Sequence, residues 1–192
     1  MYKRQVLTSA GTGTPTWSTP SAGAMTLIST QTASSSASLS WTGLSGYDKY
    51  FLVFQNMIPA SNGDLLSIVV GTGAVPTYIT SGYEYGIISA GSSGSVSFYN
   101  ATTSSHGIIS SVIGIKNSAP GTSGNVQIMG MFSSNVFMHN GISNYINTSS
   151  TYYSDVCTGG VPANTTAKTA IKIYFVGGNM TSGTASLYGI SS

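Results

Sequence analysis

Short runs of β-branched and aromatic residues, each closed by a cluster of Gly, Ser, Asn or Pro, recur along residues 24–192. No segment sustains the i, i+3, i+4 apolar spacing of an amphipathic helix free of Gly and β-branched residues. The rhythm confines the chain to an all-β fold. SLSW, DLLSIVVG, SVSFYN, GIISSVIGIKN, NVQIMGMF and ASLYGI all read as strands, and PASNGD, SAGSSGS, NSAPGTSGN and VGGNMTSGT as the breaks between them. In KTAIKIYFV, Ile171, Ile173 and Phe175 share one face and Lys172 and Tyr174 the other. KYFLVFQNM is apolar on both faces, with Tyr50, Leu52 and Phe54 on one side and Phe51, Val53 and Met57 on the other. A strand of that kind is covered on both sides or lies between two sheets or subunits. About ten such strands predict an antiparallel β-sandwich of jelly-roll type.

How this sandwich is solvated is unusual. Only 5% of the 192 residues are charged, against about 25% in an average domain. Residues 24–192 carry four basic side chains (Lys49, Lys116, Lys168, Lys172) and four acidic ones (Asp48, Asp64, Glu84, Asp155). A neutral body of this kind excludes nucleic acid as a partner, since phosphate binding needs clustered Lys and Arg. It also lacks the mutual repulsion that opposes self-association. No apolar run approaches the length that spans a membrane as a helix, so no membrane insertion is expected. Cys157 stands alone, which leaves no intrachain disulfide and reads as a small buried hydrophobe.

Motifs for catalysis are missing from the sequence. Glycoside hydrolysis needs two carboxylates around one bond. Asp48 and Asp64 sit in turn contexts, and Glu84 reads as an exposed strand position. A hydrolase would require Glu84 and Asp155 within about 5–10 Å in one groove. The two histidines, His106 and His139, have no GxSxG nucleophile turn to serve. No phosphate loop or metal-ligand spacing occurs, so the expectation is no enzyme, no metal and no cofactor. Triplets that could accept N-linked glycans begin at Asn100, Asn147, Asn164 and Asn179, and signify only in a secreted eukaryotic protein. Twelve tyrosines are the positive signal. Tyr83 and Tyr85 flank Glu84, and Tyr145, Tyr152 and Tyr153 cluster in NYINTSSTYYSD. Tyrosine combines apolar area with a hydroxyl, which suits sugar- and protein-binding surfaces as well as interiors and interfaces. These six residues are the candidate ligand-binding set.

Residues 6–23 are Ser-, Thr-, Gly- and Pro-rich and predict an extended connector ahead of a head domain over 24–192. Residues 5–17, QVLTSAGTGTPTW, resemble a motif of bacteriophage tail-fibre and related virion proteins. Gln5, Val6, Leu7, Thr8, Ser9, Gly11, Gly13, Pro15 and Trp17 match it, while Arg4 replaces the expected leading glycine. The layout of SWTGLSGYDKYFLVFQNM and the closing GTASLYGI is similar to jelly-roll domains of phage virion proteins. The resemblance implies a trimeric, non-enzymatic tail-fibre head in the virion. It would bind a host-surface glycan or protein and join other virion proteins through a missing N-terminal part. A capsid decoration protein, a glycan depolymerase and a bacterial adhesin are the alternatives. MYKRQ resembles a translated sequencing-library adapter, which would make residues 1–5 foreign to the protein. The other reading of Lys3 and Arg4 is a short basic arm for an acidic partner.

Overall fold

The alternation of apolar and polar positions builds two antiparallel sheets around one core. A computed structural model describes residues 6–8, 14, 16–18, 25–132, 136–162 and 166–191, and among these there is no helix. The larger sheet has eight strands. Its elements are β3 (Met25–Ser36), β5 (Lys49–Pro59), β8 (Tyr83–Gly91), β9 (Val96–Ser104), β11 (Thr122–Met129), β12 (Phe137–Ile146), β13 (Tyr152–Val161) and β15 (Met180–Ile190). Their spatial order is β3-β15-β5-β11-β12-β13-β8-β9. The smaller sheet runs β10-β6-β14-β4, from β4 (Leu39–Trp41), β6 (Asp64–Thr72), β10 (Gly107–Ile115) and β14 (Ala170–Phe175), with β7 (Thr77–Tyr78) paired to β6. The fold is an antiparallel β-sandwich.

Residues 1–5 and most of the 6–23 connector lie outside the described residues, as does Asn164. Within the connector, β1 (Val6–Thr8) pairs with β2 (Thr16–Ser18), Leu7 opposite Trp17.

The core lies between the sheets. Leu39, Trp41, Leu66, Ile68, Ile171, Ile173 and Phe175 of the smaller sheet face the layer of Leu52, Phe54, Val126, Ile128, Phe137 and Leu187. Each such side chain contributes about 1.5–3 kcal/mol of burial. β14 alternates as its sequence predicts: Ile171, Ile173 and Phe175 are buried, while Lys172 is half-buried with its Nζ 4.0 Å from the Tyr78 ring centre. Cys157 is a buried free thiol, pushed up to about 12 mainly by desolvation.

Met57 departs from its predicted face. Strict alternation sets it outward with Phe51 and Val53, yet it is fully buried with Tyr50, Leu52 and Phe54. Asn56 has φ 51°, and Met57 and Phe54 pair with Thr122 and Gly124, so two residues of β5 oppose Ser123 alone. This is a β-bulge, and one extra residue reverses the facing of everything beyond it. The Ser123 hydroxyl accepts the Asn56 N–H at 2.9 Å, which satisfies the group the bulge displaces.

VGGNMTSGT, read from composition as a break, contributes Met180–Thr184 to β15, and the Ser- and Thr-rich run Met25–Ser36, not among the strands named from the sequence, is the whole of β3. Both lie where one face meets solvent, and hydroxyls there bond across strands, as Thr30 does to Ser186 at 2.7 Å.

Candidate functional site

β8, β9, β12 and β13 lie side by side at one end of the larger sheet and turn every second residue outward. Two cross-strand rows on this outer face each contain a glycine. In one, Asn100, Gly86, Thr158 and Asn140 follow one another; in the next, Glu84, Gly160, Met138 and Met129 do. The absent side chain of Gly86 leaves room in a hollow of about 470 Å³, which Gly160 also lines. A Cβ at Gly86 would meet only the Thr158 methyl, at 3.8 Å, so the floor there is open. Polar groups of Glu84, Asn100, Thr102, Asn140 and Thr158 ring it, and Met129 and Met138 supply an apolar side. A second hollow of about 410 Å³ adjoins it at Asn140 and continues the trough over Asn125, Gln127 and Phe51. Such a surface offers amide, hydroxyl and carboxylate partners beside apolar area, and among the described residues Glu84 is its one carboxylate.

The structure divides the six residues singled out in the sequence. Glu84 borders the hollow with its side chain outward, and Tyr85 reaches its rim while turning inward to pack against the core. Tyr152 is exposed on the same outer face but opposite Ile146, six residues along β13 from Thr158 and so about 20 Å away. Tyr153 points inward and stacks on Tyr145, with ring centres 5.7 Å apart and planes at 16°.

Tyr83 and Tyr145 are corrections, since both are buried and present no surface to a ligand. Their positions follow from strand parity, which turns odd-numbered residues of β8 and β12 inward. Tyr83 packs edge-on against Phe137, and its hydroxyl accepts the Val70 N–H at 2.9 Å. Burial raises its pKa well above the usual phenol range. Tyr83→Phe keeps the ring but orphans a buried N–H, and is expected to cost about 1–2 kcal/mol in urea unfolding.

Asp155 also faces inward, and there it is a structural group. Its Oδ1 accepts the Ser89 hydroxyl at 2.6 Å, and its Oδ2 accepts the Ser111 N–H at 2.8 Å. The Tyr145 hydroxyl lies 3.4 Å from Oδ1. Ser111 has φ 64° in a break of the β10–β6 register, and this left-handed turn aims its N–H at the carboxylate. Burial holds the Asp155 carboxyl above its ordinary value, against the pull of the Ser89 and Ser111 bonds. Glu84 faces the opposite side, five residues along β8 from the Ser89 that pairs with Asp155. That is about 17 Å, outside the reach of two carboxylates sharing one glycosidic bond.

His139 is buried in a slot between glycines of two neighbouring strands. A Cβ on Gly107 or Gly159 would come within 2.5 or 2.6 Å of its Cε1. The ring lies 5.7 Å from that of Phe137, and its nitrogens make no well-formed hydrogen bond. Desolvation drives its pKa down to about 4, with the Ile108 backbone opposing. His106 lies apart, edge-on to Tyr174 at 6.1 Å. Among the described residues, no three His, Cys, Asp or Glu side chains gather as a metal site would require.

No protein-family profile, curated protein or solved structure matches the chain.

Asn100, Asn140, Thr158, Gly86 and Gly160 escaped sequence reasoning. The only signal for them is their place at outward positions of strands, which is legible once the strands are registered against one another.

Proposed function

We propose that this chain is the receptor-binding head of a bacteriophage tail fibre or a similar virion appendage, and that the hollow over Gly86 and Gly160 holds a host-surface glycan. The observation that carries the reading is the composition of that hollow. Sugars combine hydroxyls that need hydrogen-bond partners with C–H faces that need apolar contact. Glu84, Asn100, Asn140 and Thr158 serve the first need and Met129 and Met138 the second. The match of residues 5–17 to the tail-fibre motif supports the virion assignment.

The strand order supports a jelly-roll reading of the head. Setting aside β7–β9 and β12–β13, the remaining body strands form two sets of four, β3-β15-β5-β11 and β4-β14-β6-β10. Two interlocked Greek keys produce that order. On this reading β8–β9 and β12–β13 are hairpin insertions that widen one sheet, and the hollow belongs to the insertions. Insertions vary without disturbing the core they are mounted on, which suits a module that must track a receptor. Joining several copies through the N-terminal stalk would multiply weak sites into firm attachment.

Glycan-array binding of the purified protein tests this, followed by titration of the strongest glycan. Glu84→Gln and Asn140→Ala are each expected to weaken it by about tenfold, roughly 1.4 kcal/mol. Loss of no affinity in either variant, or an array without a bound glycan, would sink the proposal.

A further inference from the structure

The larger sheet has two outer edges, β3 and β9, and each is interrupted by a bulge. At β3 the pairing to β15 is broken by a bulge near Leu27, and Ser35 adopts a left-handed φ of 51°. At β9 the pairing to β8 runs unbroken from Val96 to Ala101, so the free edge there is regular. The sequence of β9, VSFYNATTS, contains no charge and no proline. It therefore lacks two of the devices by which sheets block pairing with another strand, and its one bulge, at Thr102–Thr103, lies beyond the regular run.

The outer face beside that edge is apolar. Phe98, Ile88, Val156 and Ile142 stand opposite one another on four successive strands, β9, β8, β13 and β12. Phe98 is 75% exposed, and the other three are about half exposed. The row is about 14 Å wide and runs to the open edge, with Val96 exposed next to it.

We infer that β9 pairs with β9 of a second copy of this chain, antiparallel, about a two-fold axis at Phe98. The free edge offers unpaired N–H and C=O groups, which only an extended strand satisfies in series. An antiparallel two-fold match sets the two Phe98 rings side by side on the same face. The apolar row then continues through Phe98, Ile88, Val156 and Ile142 of the partner copy, so one substance covers both features. Charge permits it: β9 has none, and residues 24–192 carry four basic and four acidic side chains. The pairing removes on the order of 1,000 Å² from water, at the small end for specific complexes, which fits micromolar affinity. This association is two-fold, unlike the threefold assembly that the tail-fibre resemblance implies, and it does not depend on what the hollow binds.

Sedimentation equilibrium of the full chain across micromolar concentrations decides the matter. A monomer–dimer equilibrium is expected, with amide protection of Val96–Ala101 rising with concentration. Phe98→Lys and Val96→Lys replace exposed side chains and are each expected to weaken dimerisation by at least about tenfold while the unfolding midpoint of the monomer is kept. Monomer at every concentration overturns the inference, as does any oligomer, trimer included, that both variants leave unchanged. Glycan titration of the same variants separates this result from the receptor reading, because Phe98 and Val96 do not line the hollow over Gly86 and Gly160.

Discussion

Asp155→Ala is expected to lower stability by about 3 kcal/mol at neutral pH, whereas Asp155→Asn stays within about 1 kcal/mol of the parent. The alanine leaves the Ser111 N–H buried without an acceptor and opens a space among Ser89, Tyr145 and Cys157. An orphaned buried donor costs about 1–3 kcal/mol, and the vacated volume adds to it. The asparagine carbonyl replaces the oxygen that accepts from Ser111. Its amide faces the Ser89 and Tyr145 hydroxyls, which turn to accept. The pH dependence separates the two further. Asp155 has a raised carboxyl in the fold, so it contributes stability while protonated. That contribution is lost as pH rises from the ordinary value of 3.8 through the higher folded value. The Asn variant lacks this decline and gains on the parent over that window. Urea unfolding at a series of pH values measures both effects, and an Asp155→Ala protein as stable as the parent would refute the assignment.

Acid should act on His139 in the opposite direction. Its ring is neutral in the fold, with a pKa near 4 against an ordinary 6.5. A depressed histidine contributes stability that is whole above pH 6.5 and is lost as pH falls toward 4, because the unfolded chain takes up the proton first. A shift of that size corresponds to roughly 3 kcal/mol. Among the described residues no carboxylate acts on it: burial and the Ile108 backbone set its titration, and Gly107, Gly159 and the Phe137 ring stand against it. His139→Leu removes the titration whatever its own stability, so its unfolding free energy should lose that fall between pH 6.5 and 4. An unchanged slope in the variant would move the effect elsewhere. In the parent, Asp155 offsets part of the loss at the acid end, and the double variant His139→Leu, Asp155→Asn should be the flattest of all.

Much of the fold was legible in the sequence. Alternation in KTAIKIYFV and the runs DLLSIVVG and GIISSVIGIKN marked strands correctly, because half-buried strands write their facing into every second residue. Met57 failed because one bulged residue inverts parity, and the sequence QNM has nothing that announces it. β12 and β13 were harder to see, since FMHNGISNYI and YYSDVCTGGV carry polar residues on both faces. The inward polar ones are the histidine slot and the Asp155 network, and a buried polar group with partners looks in sequence like an exposed one. For the same reason Tyr83 and Tyr145 looked like surface tyrosines.

By itself, then, the sequence determined the all-β class, the neutral hydroxyl-rich surface and the lack of known catalytic motifs, since these rest on composition and local periodicity. Tertiary structure alone decided what meets what. Strand order brings Gly86 on β8 next to Thr158 on β13, and Glu84 next to Gly160, across more than seventy residues of chain. It also leaves β9 at an open edge beside Phe98. Adjacency between strands depends on long-range register, and register is set by bulges, turns and the packing of the opposing sheet rather than by any single segment.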